Sequence, residues 1–158
     1  MHSFRLRVIG RPHEAWQAEA LKTYLHHLSP FAQVELIELP EGHGGASKPD
    51  PAKTKKIEAE SLLKNLPADA TLIALDETGK NLDSPTFAAK IEDWSSNGNR
   101  PLVFFIGGSW GLDESIRKQA HHLISFGKQT FPHILARIVL LEQLYRAETI
   151  IKGKVYHK

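Results

Sequence analysis

The chain has 158 residues, of which 41% are hydrophobic, 24% charged and 8% aromatic. That is enough apolar material for one domain with a real core, and it excludes disordered and collagen-like classes. A formal charge of +2 and the lack of any cysteine exclude a polybasic coat, disulfide scaffolds, thiolate metal sites and cysteine nucleophiles.

Phe4, Leu6 and Val8 alternate with Arg5 and Arg7. This period of two predicts a strand near a sheet edge, not an export signal. Gly10-Arg11-Pro12 breaks it. A helix is predicted over residues 14–28, with Trp16, Ala20, Leu21, Tyr24, Leu25 and Leu28 on its inward stripe. A second strand over 34–39 is stopped by Pro40. Residues 41–51, rich in Gly and Pro, predict a long, polar, mobile loop. A helix with a basic start (Lys53, Lys55, Lys56) follows over 52–66.

Residues 71–75 and 102–106 are short, continuous apolar runs. Such runs predict strands covered on both faces, as in a parallel sheet. Between them, Ser84 is placed to cap a helix that Pro85 opens, with Phe87, Ile91 and Trp94 inward and Asn97-Gly98 at its end. Gly107-Gly108-Ser109-Trp110-Gly111 then leads to a helix that Asp113 can cap. A last short strand covers 122–126. Pro132 opens a long helix over about 133–150, with Ile134, Ile138, Leu141, Leu144 and Tyr145 inward. Strict alternation of strands and helices predicts a single-domain, mostly parallel α/β sheet with helices on both faces. No apolar run reaches the ~20 residues of a membrane span, so a cytoplasmic protein is expected.

Ligands of such sheets lie at the carboxyl ends of the strands. This nominates Leu75-Asp76-Glu77, the segment 107–111 and the segment 126–131. The glycines at 107–111 fit neither a dinucleotide fingerprint nor a P-loop. They do match the nucleophile-elbow pattern around Ser109, with Asp113, His121, His122 and His133 downstream. The chain is short for that hydrolase class, however, and its next helix starts several residues too late. The adjacent pairs His26-His27 and His121-His122 diverge by ~100° on a helix or face opposite ways on a strand, so no metal is expected. Tyr156-His157-Lys158 joins a phenol, an imidazole and a cation, groups suited to proton handling and phosphate contact, on a segment whose bland reading is a frayed end.

Taken together, Leu75-Asp76-Glu77-Thr78-Gly79-Lys80, Ile106-Gly107-Gly108 with Gly111-Leu112, Pro132-His133, Glu142-Gln143-Leu144-Tyr145-Arg146-Ala147 and Tyr156-His157-Lys158 resemble the ribosomal RNA large subunit methyltransferase H family, in order and over the whole length. The resemblance implies a SPOUT fold, with a C-terminal trefoil knot. It implies an S-adenosylmethionine-dependent homodimer that methylates N3 of a pseudouridine in 23S rRNA, within the large subunit or the assembled ribosome, without a metal. Leu75, Gly107, Phe126, Gly127, Lys128, Gln129, Thr130 and Phe131 correspond to the donor site, with the glycine at 107 letting the donor meet backbone. His157 and Tyr156 are the candidates for proton transfer or base positioning, and Lys158 for phosphate. Arg5, Arg7, Arg11, Lys53, Lys55 and Lys56 are further candidate RNA contacts. The family more often carries Pro or Ala, then Glu, Phe or Tyr, where this chain has Ser109-Trp110. The alternatives are a non-catalytic RNA- or ribosome-binding module, or a serine hydrolase using Ser109.

Overall fold

A computed structural model describes residues 1–158. Ten elements alternate: β1 His2–Ile9, α1 Ala15–Leu28, β2 Ala32–Leu39, α2 Pro51–Leu63, β3 Thr71–Asn81, α3 Ser84–Trp94, β4 Leu102–Ile106, α4 Glu114–Gln119, β5 His122–Ser125 and α5 His133–Ile151. All strands pair parallel in one sheet of order β2-β1-β4-β3-β5. The α/β architecture is therefore the expected one.

One face of the sheet presents Phe4, Leu6, Ile73 and Phe104 to α1, α3 and α5, and the other presents Ile9, Ala74, Val103 and Phe105 to α2 and α4. All five residues of β4 are buried, which is why its sequence is a continuous apolar run. Each fully buried Leu, Ile or Phe contributes about 1.5–3 kcal/mol.

Local chemistry sets the boundaries. Asp50 caps α2 by accepting from the Ala52 amide, so Pro51 opens that helix instead of closing the loop before it. Asp83, not Ser84, caps α3, accepting from the Thr86 amide at 2.8 Å. The Ser84 hydroxyl instead donates to Gln143 Oε1 on α5. Asp113 caps α4 as expected. β3 continues past Leu75 because a register shift between Leu75 and Lys80 lets it resume pairing with β5. Gly79 faces the Ile124 backbone there, 2.5 Å from where a Cβ would sit.

β1 lies near the sheet edge, as expected, one strand in from the edge strand β2. Of the polar positions of β1, Arg7 lies under α2: its guanidinium is buried and donates to the Ser61 carbonyl at 3.0 Å. One expectation is corrected: Trp16 lies in the first turn of α1 and is 55% exposed, outside the core.

Two long-range polar contacts tie the last helix to the first strand. His2 Nδ1 lies 2.6 Å from Glu148 Oε1, both buried. Arg137, wholly buried, donates to Glu38 at 2.8 Å and to the carbonyls of Ile9 and Gly10 at 3.0 and 3.1 Å.

Candidate functional site

The carboxyl ends of β3, β4 and β5 open into one cleft of about 830 Å³. The three segments nominated from the sequence meet there. Leu75, Gly107, Phe126, Gly127, Gln129, Thr130 and Phe131 all line it. Lys128 is exposed and does not line it, although its neighbours Gly127 and Gln129 do. The floor is apolar: Ile106, Leu112, Ile124 and Ile134 are nearly fully buried and line the cleft.

Gly107 is glycine for a reason other than ligand access. A Cβ there would sit 2.6 Å from the Gly111 carbonyl oxygen. The backbone of the loop is folded directly on it, and the Gly111 amide closes the turn by donating to Gly108 at 3.1 Å.

The polar wall is built by Asp76. Burial alone would raise its pKa, but hydrogen bonds from the Thr78 hydroxyl and amide, with the Arg117 guanidinium at 2.9 Å, hold the carboxyl below the usual range. Arg117 also donates to Glu114 at 3.2 Å. His133, at the start of α5, has no partner for Nε2; burial, and then Arg137, keep its pKa below the ordinary imidazole value. His13 and Gln17, from the start of α1, complete the rim. Sequence reasoning nominated Asp76 only as part of the strand-end segment Leu75-Asp76-Glu77, and assigned no site role to Arg117, His13 or Gln17. The only signal for Asp76 was its position at a strand end.

The hydrolase reading finds no support in this geometry. Ser109 is exposed at the turn. Asp113 is engaged with Ser115, His121 accepts from the Leu72 amide, and His122 stacks on Trp94. No group of three His, Asp or Glu is gathered as metal ligands.

The tail is ordered against α5. Tyr156 Oη donates to Glu142 Oε1 at 3.0 Å, the ring packs edge-on to Tyr145, and the Arg146 guanidinium lies 4.7 Å over it. His157 Nδ1 is 3.2 Å from Arg146 Nη1. Burial, then the bond to Glu142, raise the Tyr156 pKa, so the phenol stays protonated at neutral pH. His157 does not line the cleft. It lines a neighbouring pocket of about 580 Å³, and Ile124, Ser125, Phe126 and Phe131 face both cavities. Within this chain, then, His157 shares the neighbouring pocket with two of the expected donor residues, Phe126 and Phe131, but lies outside the cleft that the others line, and Tyr156 lines neither cavity.

Of the expected RNA contacts, Arg11 and Lys158 are exposed, and Arg5 is half-exposed and paired with Glu35 at 3.4 Å. Arg7 is buried and bonded inside the fold, so it is withdrawn as an RNA contact.

Residues 2–157 match the family model described as "Predicted SPOUT methyltransferase". A likeness of fold alone, at 12% identity and a TM-score of 0.56, covers 99% of this chain and 71% of a probable methylase family protein from Haemophilus influenzae. Proteins named ribosomal RNA large subunit methyltransferase H are much nearer in sequence. That of Acidiphilium cryptum is 42% identical over 98% of this chain and 94% of its own length. That of Ruminiclostridium cellulolyticum is 39% identical over 97% and 98%, and that of Listeria monocytogenes 36% over 99% of both. The chain belongs to the ribosomal RNA large subunit methyltransferase H family of SPOUT methyltransferases.

Proposed function

We propose that this chain transfers a methyl group from S-adenosylmethionine to N3 of a pseudouridine in 23S rRNA, within the large subunit or the assembled ribosome, and works as a homodimer. The observation that carries this reading is the cleft: three strand-end segments, which the resemblance assigns to the donor, line one cavity of about 830 Å³, well within the range of small-molecule sites. Its residues fit the donor. The apolar floor suits an adenine ring, the loop at 107–111 offers backbone, and the Asp76–Arg117 pair with Glu77 beside it makes one wall polar. When bound there, S-adenosylmethionine supplies a methyl group on a sulfonium centre. The trefoil knot and the single domain over residues 1–158 belong to the same reading, as does a cytoplasmic location. No helix is long and apolar enough to cross a membrane.

The acceptor N3 must lose a proton and be held in line. His157 is assigned the proton. Tyr156, with its phenol kept protonated, is suited to donate a hydrogen bond that orients the base. Because His157 stands outside its own protomer's cleft, a symmetric partner would bring its tail to that cleft. The outer side of α5 supports such an interface less strongly than its sequence does: Ile134, Ile138, Leu140, Leu141 and Leu144 are buried by the protomer itself, leaving Leu135 and Val139 half-buried. Arg11 and Lys158 remain for phosphate.

The test is incorporation of labelled methyl into undermethylated large subunits, after calorimetry has established donor binding. The reading expects transfer by the full chain and a loss of ~10²-fold or more on deletion of residues 156–158, with donor binding retained. Equal transfer by both forms would remove the catalytic role of the tail.

A further inference from the structure

The large apolar side chains left exposed are Met1, Trp16, Ile57, Trp110 and Val155. Of these, Trp110 alone lines the cleft, and it is 48% exposed. Its position is rigid. Ser109 and Trp110 are the central residues of a turn closed by the Gly108–Gly111 bridge. The turn is pinned from below at Gly107 by the Gly111 backbone, and at Gly108 by Glu58 and Ile9, each 3.0 Å from where a Cβ would sit. An indole held out by such a turn gives up little conformational freedom on binding, since only two side-chain torsions remain to be fixed.

The charges around it say what it can hold. The guanidinium at the cleft, Arg117, is engaged by Asp76 and Glu114, and the exposed Glu77 adds a carboxylate to that wall. The whole chain carries only +2. Lys55 and Lys56, near enough to Asp113 to act on its carboxyl, stand beside the turn, and base faces offer an RNA docking over the cleft further affinity. Stacking on an aromatic ring supplies it for any base. The donor's adenine has the buried apolar floor of Ile106, Leu112, Ile124 and Ile134 and does not need the exposed rim.

We propose that Trp110, exposed on the glycine-pinned turn at the cleft, is a stacking platform for an unpaired nucleobase of the RNA substrate. This rests on the RNA-methyltransferase reading above. The experiment measures steady-state methyl transfer to undermethylated large subunits by the full chain and by Trp110→Ala, Trp110→Leu and Trp110→Phe, with donor affinity determined for each. At this exposed position the variants are expected to fold as the parent does, and thermal melts check it. The expected result is a KM for subunits raised about tenfold in the Ala and Leu variants. The Phe variant should regain most of the affinity, while kcat and donor affinity stay unchanged. An unchanged KM in Trp110→Ala overturns the proposal. So does a Leu variant equal to Phe, which would mean simple apolar contact, or weakened donor binding, which would make the indole a wall of the donor site. No transfer by the unsubstituted chain would overturn the underlying reading and this proposal with it; the variants fail separately only if that chain is active.

Discussion

Gly107 and Gly111 are packed so closely that a Cβ on Gly107 would lie 2.6 Å from the Gly111 carbonyl oxygen, 2.7 Å from its carbon and 3.0 Å from the Leu112 nitrogen. All three contacts are backbone, which cannot step aside as a flexible side chain can. Gly107→Ala is therefore expected to cost about 1–3 kcal/mol of stability by overpacking, and Gly107→Val more. Urea denaturation measures it; a Gly107→Ala variant as stable as the parent would contradict the packing.

The cleft is better tested where space is free. Thr130 is exposed and lines the cavity. Thr130→Phe should leave stability within about 0.5 kcal/mol and weaken S-adenosylmethionine binding about tenfold or more, the equivalent of ~1.4 kcal/mol. Unchanged affinity by calorimetry would move the donor elsewhere.

Arg137 has no exposed surface, and its guanidinium serves Glu38 and the carbonyls of Ile9 and Gly10. Arg137→Ala leaves those acceptors unpaired beside a void. A loss of about 3 kcal/mol or more is expected in chemical denaturation. A loss below about 1 kcal/mol would mean that water or a neighbour replaces the guanidinium readily.

His133 and His122 both have pKa values held below the ordinary 6.5, in each case chiefly by burial. The unfolded chain therefore binds protons at these sites more readily than the folded one. Stability is full above about pH 6.5 and declines as the pH falls below it toward the folded values. Denaturation at about pH 7.5 and about pH 5.5 should show this decline, and the double variant His122→Gln, His133→Gln should flatten it. An equal slope in parent and variant would contradict the assignment.

The parallel sheet was legible because 71–75 and 102–106 are continuous apolar runs, a pattern that only strands covered on both faces produce. The cleft was legible for the same reason: strand ends follow once strands are placed. Arg7 was not, because a period of two shows which residues share a face and not what covers that face; α2 covers it. Trp16 fits the helical stripe, yet the first turn of α1 lies beyond the core. The full strand order was not legible, because pairing order is set by crossovers, which leave no local pattern. The tail's packing against Glu142, Tyr145 and Arg146 joins residues a dozen or so apart across a chain reversal that no periodicity encodes.

The most direct test of the account is where the methyl group goes. Undermethylated large subunits or ribosomes are incubated with the purified chain and S-adenosylmethionine, the 23S rRNA is digested to nucleosides, and the products are resolved by mass spectrometry. The account predicts one new species, a pseudouridine carrying a single methyl at N3, absent when residues 156–158 are deleted. A methyl group on another nucleoside, or none on RNA with the donor demonstrably bound, would contradict it.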